Sequence, residues 1–464
     1  MRSSLSAPAS HTHALIQGSG VAGLLSVLLG SCLLLGCDTN VHPDGFVRFV
    51  TGAGDAPWAA PPAVERVRLE FVQATSRSTL AEVSAPPQNI SLGNAGPEYV
   101  IGHFEANGLT KEGAPVVHGS TVPFYLLGFS GISVPLFVAR TGGFSEAPSP
   151  LLLPHTRPIP ALVSGAYLFV VDGGSSALDI YNIAMWEEPS AAAPLPQTVK
   201  SLAVSGTELL MLNDDSAQWI ELTTAVAAAV SPPAGLTFAE VIGGKTLVAS
   251  DQTAYIVGAT RTEGAATNKV LRIDPDGSLH TLLLGSPRLG AAAALLDDAL
   301  LVAGGSAVGA GAELYAVGAN GFRSLALPPD TTQGAGLVGI TATTAWLVGG
   351  RDASGTPTSP RRIDIDCSSD CLAAELGTSL ELNQASAFRL DENLALVVGE
   401  TEDEQDHVYL LDASGDAPTL TEQPLHTPRA RASAVVLPNG QMALVGGTDV
   451  ATGEPALGMD VYFR

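Results

Sequence analysis

Cysteine is scarce in this chain: four residues in 464, two of which, Cys32 and Cys37, lie near the N-terminus. Only Cys367 and Cys371 remain for the body of the protein, and with no His beside them metal binding by this pair is disfavoured. Positive charge is also sparse. The 22 Lys and Arg stand against 46 Asp and Glu, a formal net charge of −24. A phosphate backbone repels such a chain, so nucleic acid is excluded as a partner. No apolar run makes a comfortable membrane-spanning helix, which takes about 20 residues. The longest, VAGLLSVLLGSCLLLG from Val21 to Gly36, is short and broken by glycine. Catalytic signatures are missing as well: there is no H-E-x-x-H, no G-x-S-x-G elbow and no G-x-x-x-x-G-K-[ST] loop.

Glycine and proline, by contrast, are plentiful, at 50 and 32 residues, with only 15% charged residues. That balance suits many short strands joined by turns. Seven segments share one pattern, an apolar strand, a turn rich in Gly, Asp or Asn, and a second apolar strand. They are IPALVSGAYLFVVDGG (159–174), VKSLAVSGTELLMLND (199–214), KTLVASDQTAYIVGA (245–259), AAAALLDDALLVAGG (291–305), GLVGITATTAWLVGG (336–350), ASAFRLDENLALVVG (385–399) and ASAVVLPNGQMALVGG (432–447). Each is a hairpin signal. They recur about every 40 to 50 residues, a period that implies a propeller or solenoid. A third strand follows most hairpins, often with an aromatic residue (Tyr181, Trp219, Tyr315, Tyr409, Tyr462), and then a weaker fourth. Four strands per unit describe a propeller blade.

The di-glycines, the tyrosine beyond them and a further Trp or Phe resemble the kelch repeat. Gly173, Gly174, Tyr181 and Trp186 carry the whole set, as do Gly304, Gly305, Tyr315 and Phe322. Gly349 with Gly350, and Gly446 with Gly447 and Tyr462, carry part of it. The resemblance covers about residues 140–464 and implies packing roles for these residues, with glycine allowing close backbone approach and aromatics filling the wedge between blades. The chain stops just after a third strand, whereas LFVARTGGFSEAPSP (136–150) has outer-strand character yet precedes the first hairpin. That stretch can close the last blade, with Phe144 in the Trp-like position, removing an open sheet edge. The expected count is seven blades, with six and eight as the alternatives.

Ahead of the propeller, Leu34-Leu35-Gly36-Cys37 at the end of the apolar run resembles a bacterial lipobox. The resemblance implies a lipoprotein signal peptide at 1–36, lipidation of Cys37, and an exported protein anchored to the cell envelope, with inner or outer membrane left open. Cys32 is a second candidate. Residues 37–44 read as a tether. Residues 45–138 lack the repeat but keep strand patterns, and Val64–Val72 alternates apolar groups with charges. This is expected to be a small β-sandwich, immunoglobulin-like or transthyretin-like, with the propeller occupying 139–464. The fold class expected is therefore all-β.

Smaller features remain. Cys367 and Cys371 enclose three residues, so an exported protein would hold them as a disulfide, with free thiols as the alternative. Glu400 to Asp406 (ETEDEQD) is a dense acidic stretch without the spacing of a calcium loop. Two letter matches to the dinucleotide fingerprint, at 18–23 and 334–339, lack a strand–turn–helix setting. Three linkers entering blades carry cations: His155 and Arg157, then Arg288, then His426, Arg429 and Arg431. If they cluster at one end of the ring they form a basic face for a carboxylate or another anion. The expectation is a non-enzymatic, monomeric binding scaffold without cofactor or metal, taking a protein or glycan ligand in the envelope. A propeller hydrolase or lyase is the alternative. A copper-radical oxidase is disfavoured, because the only propeller cysteines sit together in one turn.

Overall fold

The structure, a computed structural model, describes residues 45–464 apart from 93–99, 126–131, 188, 192–193, 207, 215, 223–225, 261–263, 298, 368–370, 378 and 416–417. The signal peptide, Cys37 and the tether lie outside the described residues.

Seven four-stranded antiparallel sheets follow one another along the chain, and each is one blade of a β-propeller. Their inner strands are Pro158–Val163, Ser201–Ser205, Lys245–Val248, Ala292–Leu296, Gly336–Gly339, Asn383–Arg389 and Ser433–Val436. The inner strand of the first blade also lies against that of the seventh, so the ring returns on itself. The seventh sheet is completed from the other end of the chain: Gly143–Glu146 pairs with Met459–Phe463 in the register Phe144↔Tyr462. The two rings sit 5.3 Å apart, edge to face. A propeller sheet one strand short would leave an unpaired edge, and this strand removes it.

The di-glycines explain how blades are tied together. The N–H of Gly305 donates to Thr332 O at 2.7 Å, that of Gly350 to Leu382 O at 2.8 Å, and that of Gly447 to His155 O at 2.8 Å. In each case the acceptor lies in the linker entering the next blade. Gly447 sits at φ +87°, and a Cβ there would meet Ala430 O at 2.5 Å, so only glycine fits. Gly174 makes the corresponding bond to Val199 O at 2.8 Å. Tyr181, Tyr315 and Tyr462 are buried between blades, as the packing role implies.

The N-terminal unit is a sandwich of a three-stranded and a larger sheet. Alternation in Arg66–Gln73 buries Val67, Leu69 and Phe71, while Arg66 and Arg68 pair with Glu82, and Glu70 with Arg77, on the outer face. One boundary differs by two residues from the expectation. Ala139–Arg140 still pairs with the sandwich strand Pro115–Ser120, and the crossing to the propeller falls at Thr141-Gly142. The reason is local pairing: Thr141 N–H still donates to Val116 O, and Gly142 N–H already donates to Phe463 O. The two units share a core. Phe137 of the sandwich lies 4.8 Å from Trp186 and 4.9 Å from Phe463. Trp186 therefore spends its surface on the domain junction as well as on its own blade.

Candidate functional site

The linker cations do not form the expected basic face, and the correction concerns His155, Arg288 and Arg429 first. All three are fully buried. Arg288 donates to the carbonyls of Gly304 (2.7 Å), Gly311 (3.2 Å) and Ala310 (2.7 Å) and to Glu313 Oε1 (2.8 Å). Arg429 donates to Gly446 O (3.2 Å) and Gly458 O (2.8 Å) and pairs with Asp460 at 3.0 Å. His155 Nε2 lies 3.1 Å from Asp179 Oδ2, which also accepts the N–H groups of Leu152 and Leu153. Each partner acid lies in the third strand of the blade that the linker enters. The fifth blade inverts the arrangement, with Asp330 in the linker and Arg361 in the strand, 2.9 Å apart. These pairs pin linkers to blades, since a buried charge must be matched.

Arg157, His426 and Arg431 are exposed. Arg431 is committed to Glu404 at 2.8 Å, across the Thr401–Gln405 turn of the acidic stretch. Within that stretch burial pushes the Asp406 carboxyl up to about 7, against the opposing effect of the Ala432 N–H bond at 2.8 Å. Among the described residues no group of three His, Cys, Asp or Glu is arranged to hold a metal ion. Cys367 and Cys371 form a disulfide with Cα atoms 5.1 Å apart. The fingerprint-like glycines at 336–339 lie in an inner strand, not a phosphate turn.

The residue that stands out was not singled out by its local sequence. Lys245 opens the inner strand of the third blade and pairs with Val257, just before Gly258. The equivalent pairs are Ala292↔Ala303, Gly336↔Val348, Ser386↔Val398 and Ser433↔Val445, each just before the glycine that ends its second strand. Where these blades carry Ala, Gly or Ser, the third carries lysine. The small ring gives a long side chain room to cross the channel. Nζ donates to Ser386 Oγ of the sixth blade at 2.9 Å and lies 5.2 Å from the centre of the Phe388 ring. No described carboxylate pairs with it. Burial lowers the amine to about 8.

Lys245 lines two cavities at once. One, of 190 Å³, is floored by Gly243, Gly244, Gly290, Gly334 and Gln384 on the linker side. The other, of 470 Å³, runs toward the hairpin turns between Leu247, Leu296, Val338, Phe388 and Val436. Lys245, Ala293, Leu337 and Ala387 belong to both, whereas Ser386 lines the smaller and Phe388 the larger, so the lysine side chain touches residues of both chambers. Gly243-Gly244-Lys245-Thr246 looks like the end of a phosphate loop, but the lysine opens a strand instead of a helix. The glycine amides are also occupied: Gly243 N–H donates to Ser201 Oγ at 3.1 Å and Gly244 N–H to Val241 O at 3.0 Å.

No family model matches the chain, and no curated protein matches it. Solved structures do resemble it. A streptogramin B lyase structure is similar at 11% identity and a TM-score of 0.43, covering 68% of this chain and 96% of the other. The structure of YjhT is similar at 12% identity and a TM-score of 0.39, covering 59% of this chain and 99% of the other.

Proposed function

We propose that this chain is a kelch-type propeller lipoprotein of the bacterial cell envelope, and that it binds a small ligand in its channel instead of catalysing a reaction. The observation that carries the reading is Lys245, a lysine without a carboxylate partner among the described residues, placed where four other blades carry Ala, Gly or Ser. A part-buried amine held without an opposite charge is costly to keep and calls for a function. The 470 Å³ chamber beside it falls within the size of small-molecule sites, which favours a small molecule over a protein or glycan partner. The kelch assignment is supported by the di-glycines and the buried tyrosines beyond them. The envelope address is supported by the Leu34-Leu35-Gly36-Cys37 motif after an apolar run, with the sandwich as a spacer between anchor and ring.

The test is native mass spectrometry of the full chain extracted from its own membranes. A bound small molecule released on denaturation, and missing from Lys245→Met, is the expected result. A wild-type protein with no adduct, after incubation with envelope extract, would remove the channel-binding reading. Membrane anchoring is tested separately: Cys37→Ala is expected to leave an uncleaved precursor or a released protein.

A further inference from the structure

We infer that the larger chamber takes an amphiphile: an apolar chain or ring ending in a single carboxylate, with the carboxylate on Lys245. The inference rests on the channel-binding reading and names the ligand class.

Three observations lead to it. The first is the number of donors at the polar end. An ammonium has three N–H groups. One is spent on Ser386 Oγ, which leaves two for a ligand beside the Phe388 ring, and a carboxylate has two oxygens. Arg389 and Asp297 also line this chamber, but both are exposed and belong to its hairpin-turn end, away from the amine. A phosphate has more acceptor oxygens than this end can satisfy, and the nearby glycine amides are engaged elsewhere. A monoanion matches one amine.

The second is the wall. Leu247, Phe388, Val435 and Val436, each only part-buried, present carbon to the space, while Leu296 and Val338 are buried between blades behind it. Burying a methylene against such a wall gains about 0.8 kcal/mol, whereas a sugar hydroxyl there would lose its water without replacement. The third is the direction. Lys245 opens its strand at the linker end of the chamber, and Leu247, Phe388, Val435 and Val436 lie between it and a mouth that carries Asp297, Thr341 and Arg389. A ligand entering from that mouth meets apolar walls along its body and the amine at its tip. Ion pairing there also gives a part-buried charge, uncompensated among the described residues, a matched partner.

Octanoate is the probe, titrated calorimetrically into the full-length detergent-extracted protein, with octanol and inorganic phosphate as comparisons and phenylpropionate to separate straight-chain from aromatic ligands. Expected results are saturable heat with octanoate or phenylpropionate, at least tenfold weaker binding of octanol, and none of phosphate. Lys245→Met should weaken octanoate at least tenfold and leave octanol unchanged. Ser386→Ala keeps the amine while freeing its donor, so it should bind octanoate as tightly as wild type or tighter. Equal binding of octanoate by wild type and Lys245→Met, or phosphate binding tighter than octanoate, overturns the inference. So does loss of binding in a folded Ser386→Ala protein. If the carboxylates fail while native mass spectrometry still finds a Lys245-dependent adduct, the ligand class is wrong and the channel reading survives.

Discussion

Arg429→Ala tests whether buried linker pairs hold the ring together. The guanidinium is fully buried, donates to the Gly446 and Gly458 carbonyls and pairs with Asp460, itself fully buried. Removing it leaves three carbonyls short of a donor, those of Thr427, Gly446 and Gly458, and one carboxylate without its cation. Breaking a buried pair from one side costs about 3–5 kcal/mol. With an unfolding entropy of about 2.1 cal/mol/K per residue, a propeller of roughly 320 residues loses about 0.7 kcal/mol per degree near its midpoint. The expected fall in Tm is therefore about 5–7 °C. The loss should also depend on pH. Burial already raises the Asp460 carboxyl, and Arg429 opposes that rise. Without the arginine the folded-state pKa climbs further above the unfolded value, so the folded state binds the extra proton. The variant is then least damaged below the unfolded pKa of about 3.9 and loses stability as pH rises through the new folded value. Thermal unfolding followed by tryptophan fluorescence at pH 5 and pH 8 measures both effects. Lys200→Ala is the control, because its pair with Asp214 is exposed and worth less than about 1 kcal/mol. A Tm loss for Arg429→Ala no larger than that of Lys200→Ala, and equal at the two pH values, would refute the reasoning.

Other perturbations follow from the same structure. Phe144→Ala removes the ring that packs on Tyr462 in the closing strand and should cost about 1–3 kcal/mol, since the side chain is only half-buried. Amide exchange should speed up at Met459–Phe463 and not in Lys245–Val248; uniform acceleration would argue against closure by this strand. Lys245→Met removes an amine whose folded pKa, about 8, lies below the unfolded value of about 10.4. Wild-type stability attributable to this group rises with pH between those values, so the variant should be more stable at pH 7 by about 1–3 kcal/mol, with the gap closing near pH 10. A gap independent of pH contradicts a buried cationic amine. Cys367→Ser opens a five-residue loop and should cost about 2 kcal/mol on the loop-entropy account. The same variant should match wild type once both are reduced, and a difference that persists in reductant would point to packing.

Much of the architecture was legible because it is local. A hairpin is written in consecutive residues, so AAAALLDDALLVAGG reads as two strands and a turn wherever it lies in space. The closing strand was legible as an outer-strand pattern that precedes the first hairpin, and its pairing with Met459–Phe463 removes an open edge. Only the tertiary structure decided what the polar residues do. Arg288, Arg429 and His155 look like exposed linker residues, because their partners Glu313, Asp460 and Asp179 lie 25, 31 and 24 positions away on a third strand. Charge in a short polar segment says nothing about burial until that strand is placed beside it. Lys245 was hidden for the same reason at longer range. Its meaning depends on the register of five inner strands and on Ser386, 141 residues downstream. Secondary structure follows from neighbours in sequence, whereas the environment of a charge follows from neighbours in space, which come from another strand of the same blade for Arg288, Arg429 and His155 and from a different blade for Lys245.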